Sequence, residues 1–237
     1  MSLLTIIQTA LREIGSIEVP TTVVGNQNET AINSLALTNR ALRETAKRTK
    51  WELLTREATI NTVASQAEYD LPSDFKSIHN QTMWNISQRR PTLAVTPQTW
   101  SFLQAFTDVS GIILHYRIFR DPAGNGQKVQ FFPTPGAGQI ITYEYVSNGL
   151  VQSSGGVLQE EFLADTDTAL LDEDTILLGF KWRFLASKGF PYAEAFTDHE
   201  KSIAKDVDDT PSQIVNMGGG NRRLRTVLIV PDSIVGL

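Results

Sequence analysis

The 237-residue chain contains no cysteine. That excludes a disulfide framework and any thiolate nucleophile or ligand, and it fits synthesis in a reducing compartment. Histidine is scarce: His79, His115 and His199 lie in different segments, and none has another ligand type at a metal-like spacing. Each is expected to be structural. No run approaches the roughly 18 apolar residues of a membrane span, so no membrane association is expected. The opening Met1-Ser2-Leu3-Leu4 has no basic n-region and no cleavage-site pattern, so no secretory signal is expected there. Positive charge is in deficit, with a formal net charge of −5. That argues against a whole-molecule nucleic-acid binder held by counterion release. What is present is ordinary globular material, 41% apolar and 20% charged, enough to bury a sizeable core.

Sites for chemistry are missing too. Asp165-Thr166-Asp167 followed by Asp172 begins like a calcium loop. It lacks the third Asp or Asn, the central Gly and the closing Glu spacing. Loop or capping carboxylates are the simpler reading. Gly218-Gly219-Gly220-Asn221 has neither Gly-Lys-Ser/Thr nor a preceding strand, so it is no phosphate loop. No Gly-x-Ser-x-Gly elbow occurs. No catalytic residue, cofactor or metal site is assigned, and no enzyme is expected. Trp51, Trp84, Trp100 and Trp182 each close or sit inside an apolar segment, which suits core or interface better than a stacking platform.

The chain is predicted to begin with two helices. Leu3, Ile7, Ala10, Leu11 and Ile14 recur at helical spacing and Gly15 stops the run. Asn26 with Glu29 reads as a capping box for a second helix running to about Leu54. Its apolar face is Ala31, Leu35, Leu42, Ala46 and Leu53. Its other face is basic, with Arg40, Arg43, Lys47, Arg48 and Lys50, and Glu44 is placed to pair with Arg48. That face is either solvated or a contact to an acidic partner.

From Arg56 to Gly149 the period becomes alternating. Strands are predicted at 58–63, around 69–71, within 73–83, and at 112–119, 128–132 and 139–146, with a short helix from Pro97 behind a Thr96 cap. Along the last strand Ile141, Tyr143 and Tyr145 share one face and Glu144 takes the other. Beyond a Ser/Gly link comes an acidic stretch: Glu160, Glu161, Asp165, Asp167, Asp172, Glu173 and Asp174. Asp172 is suited to cap a third main helix. Its segment Ile176–Ala186 is apolar almost all round, so it needs cover on several sides. It is either the centre of its own bundle or clamped between copies, and Ile176, Phe180, Trp182 and Phe184 are the candidate subunit-interface residues. Lys188-Gly189-Phe190-Pro191 reads as a Schellman stop leading into a fourth helix, with Phe190 folding back and Pro191 at or near the first helical position.

The last stretch changes character. Gly218–Gly220 can serve as a hinge, Arg222, Arg223 and Arg225 form a basic cluster, and Thr226–Val230 is a strand-like apolar run closed by Pro231. Such a run seeks a sheet edge, in its own chain or in another protein, and Arg222, Arg223, Arg225, Val227, Leu228 and Ile229 are the candidate portal- or partner-binding arm.

The expected fold class is α+β: a four-helix bundle domain with an inserted antiparallel β-sandwich or barrel and an extended C-terminal tail. Residues 1–55 and 157–210 form the discontinuous helical domain, 56–156 the inserted β-domain and 211–237 the arm.

Three stretches carry a family resemblance. One is Arg48-Thr49-Lys50-Trp51 leading to Tyr69-Asp70-Leu71-Pro72-Ser73-Asp74-Phe75. Another is Phe131-Phe132-Pro133-Thr134-Pro135 followed by Ile141 to Ser147. The last is Ala164 to Asp167 with Leu170-Leu171-Asp172-Glu173, Trp182-Arg183 and Lys188 to Glu194. In this order they resemble tailed-phage head-to-tail adaptor (connector) proteins, most like the tail tubular protein A group. The resemblance covers most of residues 1–210. It implies a structural virion protein at the portal vertex or neck of the tail, assembled in the host cytoplasm. It further implies a ring, usually of twelve copies, docked by its helical part on the portal protein, with the β-part facing the tail nozzle or tail tube protein. DNA would pass through the channel without sequence-specific binding, and no catalytic residues or cofactors are implied. The alternatives are another tail component, of the tail-completion or baseplate type, and a carbohydrate-binding virion module.

Overall fold

The computed structural model describes residues 1–15, 18–48, 52–79, 82–105, 113–124 and 126–209. The predicted arm, with Arg222, Arg223, Arg225, Val227, Leu228 and Ile229, lies outside the described residues. So do Trp51 and Lys50.

Helix α1 spans Leu3–Ile14, and Ser2 caps it by accepting from the Thr5 amide at 3.4 Å. Gly15, at φ 74°, ends it in the left-handed conformation that a side chain would strain. Helix α2 spans Glu29–Arg48. Its cap is Asn28 rather than the expected Asn26: the Asn28 side chain accepts from Thr30 N–H at 2.8 Å. Asn26 instead bends the approach by accepting from the Asn28 amide at 2.9 Å. The β-region follows as β1 (Thr55–Asn61), β2 (Glu68–Asp70), β3 (Phe75–Ile78), β4 (Trp84–Asn85), β5 (Arg90–Pro91) and β6 (Leu93–Ala94). Helix α3 (Pro97–Ala105) starts behind Thr96, whose hydroxyl accepts from the Thr99 amide at 3.2 Å. Then come β7 (His115–Arg120), β8 (Gln127–Phe132), β9 (Ile140–Ser147), β10 (Val151–Gln152), β11 (Leu158–Gln159) and β12 (Thr168–Ala169). Helices α4 (Glu173–Ser187) and α5 (Ala193–Asp209) complete a mixed α+β fold with five α-helices among the described residues.

Strand β9 organises the larger sheet. It pairs with β1 along the full length of β1, from Ile140 opposite Asn61 to Val146 opposite Thr55. It also pairs with β3 near its end and with β4 near its start. A second sheet runs β2-β8-β7-β6; its β6–β7 pair is parallel and the rest antiparallel. A small third sheet, β11-β10-β12, is antiparallel. Among the described residues no sheet closes into a barrel, contrary to one of the expected forms.

Apolar side chains gather in two clusters. Both larger sheets feed one of them: Ile60, Phe75, Ile141, Tyr143 and Tyr145 from the first, Tyr69, Tyr116, Val129 and Phe131 from the second. The alternation along β9 is as expected, with Ile141, Tyr143 and Tyr145 buried and Glu144 exposed. The two segments Tyr69–Phe75 and Tyr143–Ser147 meet here. Phe75 and Tyr145 stack at 5.6 Å. Asp74 accepts from the Tyr145 hydroxyl at 3.0 Å and the Ser147 hydroxyl at 2.7 Å. Burial, followed by that bond to the Asp74 carboxylate, pushes the Tyr145 phenol up to about 12.

The second cluster is helical. It joins Leu3, Ile6, Ile7 and Leu11 of α1, Leu42 and Ala46 of α2, and Ile176, Leu177, Phe180 and Phe184 of α4. Helix α4 packs against α1, α2 and α5, which explains its all-round apolarity. Leu150 and Val151, expected in the β-domain, also belong to this cluster.

Candidate interaction surface

The acidic stretch works as a set of ties within the chain. Asp165 accepts from the amides of Val23 (3.1 Å) and Val24 (2.8 Å), holding the α1–α2 connection. Asp167 is buried and accepts from Leu163 and Ala164 N–H at 2.9 and 2.7 Å. Asp172 caps α4 through the Thr175 amide at 2.8 Å. A carboxylate held by two amides is a strong, charge-assisted tie. Among the described residues no group of three His, Asp or Glu side chains is placed to hold a metal ion.

The basic face of α2 meets acids of its own chain. Arg43 pairs with Glu161 at 3.3 Å and Arg48 with Glu200 of α5 at 2.8 Å. The expected Glu44–Arg48 pair does not form. Glu44 pairs instead with Arg40 at 2.7 Å and with Arg183 of α4. Burial alone would raise Glu44, but hydrogen bonds from Arg40 and Arg183 outweigh it and hold the carboxyl below its ordinary value. Arg183 is 5% exposed and also donates to the Gly179 carbonyl at 2.6 Å. His199 of α5 lies in the same layer, 2% exposed, with no hydrogen-bond partner on either ring nitrogen. Burial, followed by the nearby Arg183 charge, pushes its pKa down to about 4, so the ring is neutral near pH 7. Gly179 allows this convergence: a Cβ there would come within 2.9 Å of the His199 ring and 3.2 Å of Ala41. Thr175 completes the α4–α5 seam, donating to Asp206 at 2.6 Å and accepting from Ser202 at 2.6 Å.

Of the four residues expected at a subunit interface, Ile176, Phe180 and Phe184 are buried in the chain's own core. They share that core with side chains of α1 and α2, so they are not surface groups in the single chain. Trp182 alone is half-buried. Its ring stands edge-on to Phe196 at 5.3 Å and tilts toward Tyr192 at 6.2 Å, with the Arg183 guanidinium 4.2 Å above it.

Trp182 leads to an exposed aromatic surface at the α4–α5 elbow. Helix α4 ends in the expected Schellman motif: the Gly189 amide donates to Ala186 at 3.2 Å and the Phe190 amide to Leu185 at 2.9 Å. Phe190 nevertheless stays 55% exposed instead of folding back. Tyr192, whose carbonyl accepts from Phe196 N–H at 2.9 Å, takes the cap position of α5, so Pro191 stands just ahead of the helix. Tyr192 is 46% and Phe196 39% exposed. With Trp182, Pro191, Ala193 and Thr197 they line an open depression of about 890 Å³. These exposed aromatic side chains make the elbow the candidate contact surface. The sequence pattern points Phe190 back onto α4 as a capping contact, and the structure leaves it exposed beside Tyr192 and Phe196. The usable signal was the density of large apolar side chains in Phe190-Pro191-Tyr192 around a turn.

No curated protein matches the chain. The model of the SU10 adaptor protein family matches residues 1–213, from α1 through α5. The chain is therefore a member of the SU10 adaptor protein family, a family of phage adaptor proteins.

Proposed function

We propose that this protein is a head-to-tail adaptor of the virion, forming a ring between portal and tail through which DNA passes. The observation that carries the reading is the adaptor-family match over residues 1–213. The motifs shared with the tail tubular protein A group support the narrower likeness and the usual count of twelve copies. In this reading the discontinuous helical part, 1–55 and 157–210, builds the ring as a four-helix bundle and docks on the portal. The β-part, 56–156, forms a sandwich facing the tail nozzle or tube. The arm beyond Thr210 supplies a strand to a partner sheet. The charge balance supports passage of DNA: a net −5 on each copy would keep phosphates from sticking, provided acids face the channel. The reading requires no enzymatic step and no cofactor.

Sedimentation of the purified protein, alone and with purified portal protein, tests it. A closed oligomer bound to portal is expected. A chain that stays monomeric and never binds portal overturns it, and particle location at the distal tail tip would favour a tail-completion or baseplate role.

A further inference from the structure

The aromatic elbow and the C-terminal arm each need cover, and they belong to one chain. Phe190, Tyr192 and Phe196 stand exposed over Trp182, while Val227, Leu228 and Ile229 form the arm's apolar run. We propose that the arm of the free protein turns back along α5 and seats Val227–Ile229 in the elbow of its own chain. The inference does not depend on the ring.

Reach permits it. Helix α5 has 17 residues and at 1.5 Å per residue is about 25 Å long, so the arm leaves roughly that far from the elbow. Residues 210–225, extended, reach roughly 50 Å. Charge favours the same path. Helix α5 carries Glu194, Asp198, Glu200, Asp206, Asp208 and Asp209 against Lys201 and Lys205. The returning arm brings Arg222, Arg223 and Arg225 just ahead of its apolar run. Glu194 and Asp198 are exposed on the first turns of α5, next in sequence to Ala193 and Thr197 of the depression, and Asp198 shares its charge with Lys201 at 3.6 Å. The tether then decides for the same chain over a neighbour, because a short linker holds the run at an effective concentration of order millimolar. Held there, the run is kept from other sheet edges until a partner competes for it.

The absence of cysteine makes the test clean. Ala193→Cys with Thr226→Cys places thiols beside the depression and beside the run without removing either. Ile86→Cys with Thr226→Cys, at an exposed β-region site, is the control. Under mild oxidation of dilute full-length protein, the 193–226 pair should form an intramolecular disulfide several-fold more completely than the control. Equal yields, or only intermolecular dimers, overturn the proposal. Hydrogen exchange gives an independent readout: exchange across residues 190–197 should accelerate about tenfold in a chain ending at residue 219. Unchanged exchange there also overturns it.

Discussion

Glu44 and Arg183, 139 positions apart in sequence, are ion-paired across the α2–α4 interface. The pair is asymmetric: the guanidinium is 5% exposed and the carboxylate 41%. Removing the carboxylate leaves a buried cation behind. Glu44→Gln should therefore cost about 2 kcal/mol, below the usual loss for a fully buried pair because water reaches Glu44. Denaturant unfolding reads it directly. Arg43→Ala, which breaks the exposed pair to Glu161, should cost less than 1 kcal/mol, typical of surface pairs. Equal losses would contradict the assignment.

His199 makes the helical layer acid-sensitive. Its folded pKa, about 4, lies below the ordinary value near 6.5, so between them the unfolded chain binds the proton more readily. Stability should be complete above about pH 6.5, fall as the pH drops toward 4, and change little further from this group. The loss is on the order of 3 kcal/mol. Glu44 adds to it at lower pH: its depressed pKa contributes stability that is lost as pH falls through the folded value. Arg183, Arg48, Glu200 and Glu44 are the charges acting on the ring, so the slope is best compared in His199→Leu, which should flatten it between pH 6.5 and 4.

Gly179→Ala should destabilise, although alanine is the better helix former. The new Cβ would meet the buried His199 ring and Ala41 at distances that require movement. A net loss of about 1–3 kcal/mol is expected in thermal or chemical unfolding. A stabilised variant would show that α4 and α5 do not close as described.

The Asp165–Asp167 turn should behave as a structural tie. Asp165→Ala frees the amides of Val23 and Val24 and should cost about 2 kcal/mol. Added calcium should leave the melting temperature unchanged. A calcium-dependent rise that Asp165→Ala abolishes would restore the metal-loop reading.

Local features were legible because their causes are local. The Gly15 and Gly189 stops, the Asp172 cap and the alternation of Ile141, Tyr143 and Tyr145 each follow from a few neighbouring residues. Partner choice was not. Glu44 sits at helical spacing from both Arg40 and Arg48, and only the approach of α4 and α5 gives Arg183 to Glu44 and Glu200 to Arg48. The apolarity of α4 showed that cover was needed without showing its source. Helices α1 and α2 share the core cluster with Ile176, Phe180 and Phe184, while α5 closes on the face that carries Thr175 and Gly179. Phe190 misled in the opposite direction, since a formed Schellman motif fixes its backbone but not where its ring lies.

Deleting Gly220–Leu237 should leave the described fold intact, with faster exchange confined to the α4–α5 elbow, while weakening assembly with portal. Loss of the fold itself would place the arm in the chain's own core rather than on its surface.

Electron microscopy of particles made with and without this protein tests the adaptor reading most directly. The account predicts ring-shaped density between portal and tail that disappears with the protein, leaving heads unable to retain DNA or attach tails. Density at the distal tail tip, or full heads with normal tails in its absence, would contradict it.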